Sequence, residues 1–429
     1  MTNRLPELTQ FHAEMQSSGL IHLVFDCPDR SMNVFSNKAI HELGAFAEWL
    51  HKADVRGVVI RSGKPTGFCA GADLTELGVA YDMIVAAPQA DRFDIAFNHF
   101  FPLSHALRRL ETAGKPVAAA IAGVALGGGC ELTLACHYRI ATSSARAMLG
   151  LPECAVGLLP GAGGTQRMPR LVGVELGLEV LLQGRNLQGA EAVSAGLIDA
   201  IVEDGQEVAA AEAWLLSDAA HSIQPWDRKG CLSPSHSEYA AVIERHRQRE
   251  LTRMLGHEPA PLAILDCVEL GLMQPLDGAI RSEMAVFARL IQRPEPRNMI
   301  RTMFLNKQAW EKAKRAGEIA PELEHAEQQI RSAVRACVER APELARAGFL
   351  GGGDRTVAQL RVGDDYWLLA EPTLAREAAD LAANCAAITS SLTSDQCDQL
   401  DYRLAADAVV PAYLGGVTGL SVLTANILR

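Results

Sequence analysis

The sequence predicts an α/β layered domain followed by a helical second half, and three observations lead there. Short apolar, β-rich runs alternate with helix-period segments through the first part of the chain, as far as Val202. Beyond Val202 the strand-like runs give way to helical patterns interrupted by prolines. Aromatic residues are sparse at 5%, while the 36 glycines suit tight turns and close packing.

Taken in order, residues 20–26 (LIHLVFD) form a β-rich run closed by the turn-like Cys27-Pro28-Asp29. Ser36 or Asn37 caps a helix whose apolar positions Ile40, Leu43, Phe46 and Leu50 recur at helical spacing. Residues 56–61 (RGVVIR) read as a buried strand, and 62–71, with its Gly and Pro, as loop. A helix over 91–110 precedes a second buried strand at 116–122. Residues 205–216 read as helix, and 221–238 as a polar, turn-rich linker. From 239 to 314 the pattern is helical, broken at Pro259, Pro261, Pro275, Pro294 and Pro296. A polar joint falls at 317–321, after which Ile330, Val334 and Val338 step by four along a helix. Further helices are expected at 373–388 and 395–410, and no internal repeat or low-complexity tract is present. The expected partition is an α/β core at 1–204, a linker with helices packing on that core at 205–316, and a helical C-terminal domain at 317–429.

At 429 residues the chain has room for two or three domains and a sizeable core without staples. A net charge of −11 argues against a general nucleic-acid binder, although a few local cations suffice for a phosphorylated small ligand. The ten cysteines are scattered, with no CxxC pair and no metal-like His spacing, so no metal is expected. The first residues look like neither a signal nor a transit peptide, and the thiols read as reduced in a cytoplasmic protein. No apolar run approaches the ~20 residues that cross a bilayer, so no membrane association is expected.

Three stretches carry chemistry. In residues 68–74 (FCAGADL), Gly71 and its alanine neighbours permit a tight turn with outward-facing N–H groups; taken alone, this is also an ordinary strand-to-helix turn capped by Asp73. In residues 125–132 (ALGGGCEL), three glycines open a helix whose free N–H groups and dipole suit an anion or developing oxyanion; close helix–strand packing is the plainer reading. Glu131, one turn into an apolar helix, must be paired, exposed in a cleft, or functional. In residues 149–153 (LGLPE), Pro152 stiffens the backbone before Glu153, and the glycine cluster at 157–164 turns the chain sharply. By itself Glu153 reads as a solvated loop carboxylate.

Together, AGAD, LGGGCEL, GLPE and PGAGGTQR in this order resemble the enoyl-CoA hydratase/isomerase (crotonase) family over residues 20–202. The likeness is greatest to the hydratase part of fatty-acid oxidation complex alpha subunits. It implies a crotonase-type α/β spiral of ββα turns followed by helices. It also implies hydration of 2-enoyl-CoA thioesters, with CoA entering as part of the substrate and no other cofactor. Carried over residue by residue, Ala72 and Gly128 match the main-chain oxyanion hole, and Glu131 and Glu153 the two catalytic glutamates. Glu131 then holds and deprotonates the water while Glu153 delivers a proton to Cα. Met32, Val34, Ala70 and Gly71 match positions whose backbone meets CoA, and Lys64 is a candidate phosphate partner. The resemblance implies a homo-oligomer, a trimer or a multiple of one. Alternatives within it are 3-to-2 enoyl-CoA isomerisation and a non-catalytic CoA-binding subunit working with thiolase or dehydrogenase.

Residues 266–307 resemble, more weakly, the helical linker of those alpha subunits, where Phe304 and Lys307 fall at the adenine and phosphate of CoA; a solvated amphipathic helix is the plain alternative. The NAD-binding dehydrogenase domain that follows in those subunits is not expected here. The glycines at 348–354 lack a preceding strand and a GxGxxG pattern. Residues 410–416 (VPAYLGG) echo a segment of their C-terminal helical domain, with packing, oligomerisation or covering of the acyl tunnel as the roles open to it.

Overall fold

The computed structural model describes residues 4–65, 67–144, 146–230, 235–254, 257–347, 349–351, 371–417 and 419–420. Parts of the expected linker (231–234) and of the glycine-rich stretch (348 and 352–354) therefore lie outside the described residues. The chain divides into two compact units, Met1–His246 with Pro261–Gln292, and Arg247–Ala260 with Arg293–Arg429.

The first unit contains both sheets. The edge strand β1 (Phe11–Met15) pairs antiparallel with β2 (Leu20–Phe25), whose six residues are all buried. The polar N-terminal reading missed β1 because only Phe11 of its residues is buried; the rest lie on an exposed sheet edge. Ser36 caps α1 (Asn37–Leu50) by accepting from the Ala39 N–H, and Leu43, Phe46 and Leu50 are fully buried, as their spacing predicts. Next come β3 (Gly57–Ser62), β4 (Gly67–Cys69), α2 (Leu74–Ala86) and α3 (Arg92–Glu111). The strand β4 corrects the expectation of loop across 62–71: Phe68 and Cys69 are completely buried, and the strand pairs with a parallel neighbour that no local pattern announces. The chain continues through β5 (Val117–Ile121), β6 (Val124–Leu126), α4 (Gly128–Leu134), β7 (Tyr138–Thr142), β8 (Met148–Gly150) and a 3₁₀ turn, Pro152–Val156.

The pairs β3–β4, β5–β6 and β7–β8 each give their first strand to a six-stranded sheet and their second to a four-stranded sheet. This is the repeated ββα turn that the family resemblance implies. Helices α5 (Gly164–Val172) and α6 (Val174–Gln183) follow, then β9 (Leu187–Gln188), α7 (Gly189–Ser194), β10 (Ala200–Val202) and α8 (Glu207–Leu216). After α9 (His236–Met254), which runs from the first unit into the second, α10 (Ala260–Leu272) and α11 (Leu276–Leu290) lie almost wholly within the first unit.

Described by itself, the second unit is helical. It contains α12 (Pro294–Met299), a π-helical turn over Ile300–Leu305, α13 (Asn306–Ala316), α14 (Pro321–Arg340), α15 (Pro342–Arg346), α16 (Pro372–Thr389) and α17 (Ser394–Ala406). Gly317, left-handed at φ +68°, ends α13, and Thr393 starts α17 with a reciprocal capping box to Gln396. The core joins Leu323, Ile330 and Val334 to Leu381, Leu400 and Leu404. Val410, Tyr413 and Leu414 from the 410–416 segment belong to that core, so its role within this unit is packing. Among the described residues no helix is long and apolar enough to cross a membrane.

Candidate active site

Strands β4, β6 and β8 lie side by side and parallel, so the segments leaving their C-terminal ends emerge together. Those segments are the three motifs: the 70–73 turn, the glycine-opened α4, and the 3₁₀ turn bearing Glu153. Their convergence follows from topology, and it matches the general placement of sites at the carboxyl ends of parallel strands.

The first turn is fixed by a parallel bridge between Phe35 and Ala72. The Phe35 N–H donates to the Gly71 carbonyl at 2.8 Å and the Asp73 N–H to the Phe35 carbonyl at 3.1 Å. In such a bridge the central residue's own N–H points to the opposite side. Asp73 then caps α2 by accepting from the N–H groups of Thr75 and Glu76. Capping and presentation of an amide are thus two jobs of one turn.

Close approach to the second segment depends on glycine. Gly71 stands at φ +100°, and a methyl there would lie 3.2 Å from the Leu126 carbonyl oxygen and 3.5 Å from the Gly128 nitrogen. A methyl at Gly129 would lie only 2.4 Å from the Cys69 carbonyl oxygen. The Gly127 N–H is tied to the Gly150 carbonyl at 3.0 Å. Among the described residues, neither the Ala72 nor the Gly128 N–H meets an acceptor. Two adjacent main-chain donors are therefore free at the start of α4.

Glu131, in the first turn of α4, is 2% exposed. Its Oε1 accepts from the N–H groups of Ala162 at 2.7 Å and Gly164 at 2.8 Å. Burial pushes its pKa up to about 7, while those two amides and the Arg167 charge pull the other way. Glu153 is also shut away from solvent around its carboxylate, and its Oε2 has no hydrogen-bond partner among the described residues. A methyl at Gly127 would lie 2.9 Å from Glu153 Oε1, which places this carboxylate against the turn that opens α4. Burial, then the charges of Glu131 and Glu283, raise the Glu153 pKa well above the usual carboxylate range. The environments differ: Glu131 is supplied with donors that favour its ionised form, and burial and like charge push Glu153 toward its protonated form.

The structure thus brings Glu131, Glu153, Ala72 and Gly128 to one place. Met32 and Val34 run beside the 67–71 segment, where the Ala70 N–H donates to the Asn33 carbonyl at 2.9 Å and Met32 packs on Gly67. Lys64 is occupied by Asp26, at 2.6 Å, and by the Cys27 carbonyl, at 2.6 Å. Phe304 and Lys307 belong to the second unit, where they line a surface cavity of about 700 Å³ with Lys312 and Arg315. Sequence reasoning missed Glu283 on α11, whose carboxylate accepts from the Gly163 and Thr165 amides. It also missed the fully buried Arg167–Glu111 pair behind the same loop. A signal for Glu283 existed: it interrupts the apolar stripe Leu276, Ile280, Met284 and Phe287 on a face where every neighbour is buried. Among the described residues no cluster of His, Cys, Asp and Glu forms a metal-binding group.

Residues 15–224 match the model of a family described as enoyl-CoA hydratase/isomerase. The chain is 32% identical over 324 residues to the fatty acid oxidation complex subunit alpha of Shewanella amazonensis, covering 72% of this chain and 43% of that protein. It is 30% identical over 347 residues to the subunit of that name from Idiomarina loihiensis, covering 80% of this chain and 44% of that one. The chain therefore spans less than half the length of these relatives. Among solved structures it matches DspI of Pseudomonas aeruginosa at 28% identity, over 58% of this chain and 98% of that one, with a TM-score of 0.44.

Proposed function

Residues 15–224 make this chain a member of the enoyl-CoA hydratase/isomerase family, and from that premise we propose that it adds water across the 2,3 double bond of 2-enoyl-CoA thioesters. The observation that carries the reading is the pairing of two buried, unlike glutamates with two unoccupied main-chain donors.

In this reading the thioester oxygen sits between the Ala72 and Gly128 N–H groups. Ionised Glu131 takes a proton from water as the water oxygen bonds to Cβ. The π electrons of the C=C bond move toward the carbonyl, giving an enolate-like oxygen that the two amides stabilise. Neutral Glu153 gives its proton to Cα, and the electrons return to form the new C–H bond. The proton taken by Glu131 and the proton lost by Glu153 balance, so net chemistry is addition of one water. Each oxyanion donor is worth about 2.7–4 kcal/mol in such a site.

The Cα proton transfer needs only Glu153, so 3-to-2 isomerisation would share the cradle but leave Glu131 without a task. Its two amide donors and nearby cation favour the two-acid reaction. Comparing turnover of crotonyl-CoA with that of a 3-enoyl-CoA tests this: hydration should dominate, and isomerisation without hydration would refute it. A chain that binds CoA esters without turning either over would point instead to a binding subunit. Homo-oligomeric assembly, as a trimer or a multiple of one, belongs to the same proposal and is checked by analytical ultracentrifugation.

A further inference from the structure

The loop at 162–165 is held by two carboxylates in alternation. The amides of Ala162 and Gly164 go to Glu131 Oε1. The intervening amide of Gly163 goes to Glu283 Oε1 at 2.7 Å, and that of Thr165 to Glu283 Oε2 at 3.0 Å. Thr165 Oγ1 also lies 2.5 Å from Glu283 Oε2, and because that hydroxyl already accepts from Gln166 Nε2, its proton faces Glu283. Among the described residues, every polar atom hydrogen-bonded to Glu283 is therefore a donor. Gly163 makes the alternation possible with φ +94°, and a methyl there would strike the Arg167 guanidinium. Glu283 comes from α11, beyond residues 15–224 that match the family.

We propose that Glu283 is a positioning residue for Glu131: it pins the loop whose amides hold the Glu131 carboxylate. This rests on the reading of Glu131 as the base. Four successive amides shared between two buried acids leave the loop no freedom to slide, so Glu131 Oε1 is fixed and its other oxygen remains available. A displacement of even about 1 Å in such a group is costly to rate. The charged and titratable groups that meet Glu283 are Glu131 on α4, Glu153 on the 3₁₀ turn, Arg167 on α5 and Cys267 on α10. Arg167 also pairs with Glu111, so its charge is shared among several acids.

The test is Glu283→Gln in the full chain. The amide group of Gln must face at least one donor, which loosens the loop and with it the two amides offered to Glu131. The titration of the Glu131 carboxyl is followed by ¹³C NMR of glutamate-labelled protein, assigned with Glu131→Gln. Its apparent pKa should rise, because the Ala162 and Gly164 amides that favour the ionised carboxylate are no longer held in place. With 2-enoyl-CoA as substrate, kcat should fall by about 10- to 100-fold while KM changes little, and the acid limb of the rate profile should move to higher pH. Glu283→Asp should restore part of the loss. A folded Glu283→Gln protein with unchanged Glu131 titration and wild-type kcat would overturn the proposal. If the wild-type chain turns over no enoyl-CoA, the hydratase reading fails and the NMR titration still decides this one. Should Glu283→Gln not fold, Thr165→Val keeps the carboxylate and removes one donor; a smaller shift in the same direction supports the proposal, and no shift overturns it.

Discussion

Arg167 and Glu111 meet at 2.9 Å with both side chains completely withdrawn from solvent. The same guanidinium donates to the Ala162 carbonyl at 2.9 Å, and the Ala162 N–H donates to Glu131. A buried ion pair thus lies one residue behind the proposed base. Breaking such a pair from one side leaves an uncompensated buried charge, at about 3–5 kcal/mol. Arg167→Met should lose that much stability in urea denaturation, moderated by Arg108, which also contacts Glu111 at 2.9 Å. Adding Glu111→Gln to the variant should recover part of the loss, because the stranded charge is then gone.

Gly127 combines φ +54° with an approach that leaves no room for a side chain. Gly127→Ala would place a methyl 2.9 Å from Glu153 Oε1 and shift either the carboxylate or the oxyanion turn. Activity should fall by at least about 100-fold while stability drops by about 1–3 kcal/mol. Steady-state kinetics and thermal melting check the two parts separately.

The raised pKa of Glu153 has a stability consequence with a definite sign. A carboxyl whose folded pKa exceeds its unfolded value contributes stability that is fully present below the unfolded value, and this is lost as pH rises through the folded one. At pH 8 the native protein carries that loss, and Glu153→Gln does not. The variant should therefore melt higher than wild type at pH 8, with the gap closing toward pH 5. Equal melting temperatures across this range would count against a carboxylate held neutral by burial and like charge.

The base must be ionised, so the acid limb of kcat/KM should fall near pH 7, the value to which burial lifts Glu131. An ordinary glutamate would put that limb near about 4.3. Because Glu131, Glu153 and Glu283 sense one another's charge, the limb belongs to the cluster rather than to one residue.

How much of this was legible beforehand depended on whether a signal is local. Ser36 with Leu43, Phe46 and Leu50 announces α1, because cap and stripe lie within one segment. The AGAD, LGGGCEL and GLPE segments each read as ordinary turns when taken alone, and their residues are singled out by the family resemblance that their order carries. Strand β4 was not legible, since three buried residues in a stretch with Gly and Pro acquire meaning only beside β6. Glu283 was hidden for the same reason: its partners, Gly163 and Thr165, lie 120 and 118 residues away. The acid interrupting an apolar stripe says that a partner exists, but not which one.

The most direct measurement is the initial rate of crotonyl-CoA hydration, followed by loss of the enoyl thioester absorbance, for wild type, Glu131→Gln and Glu153→Gln at equal folded concentration. Substantial wild-type turnover with a fall of at least about 100-fold in each variant is expected. Near-wild-type rates in both variants would contradict the two-acid site.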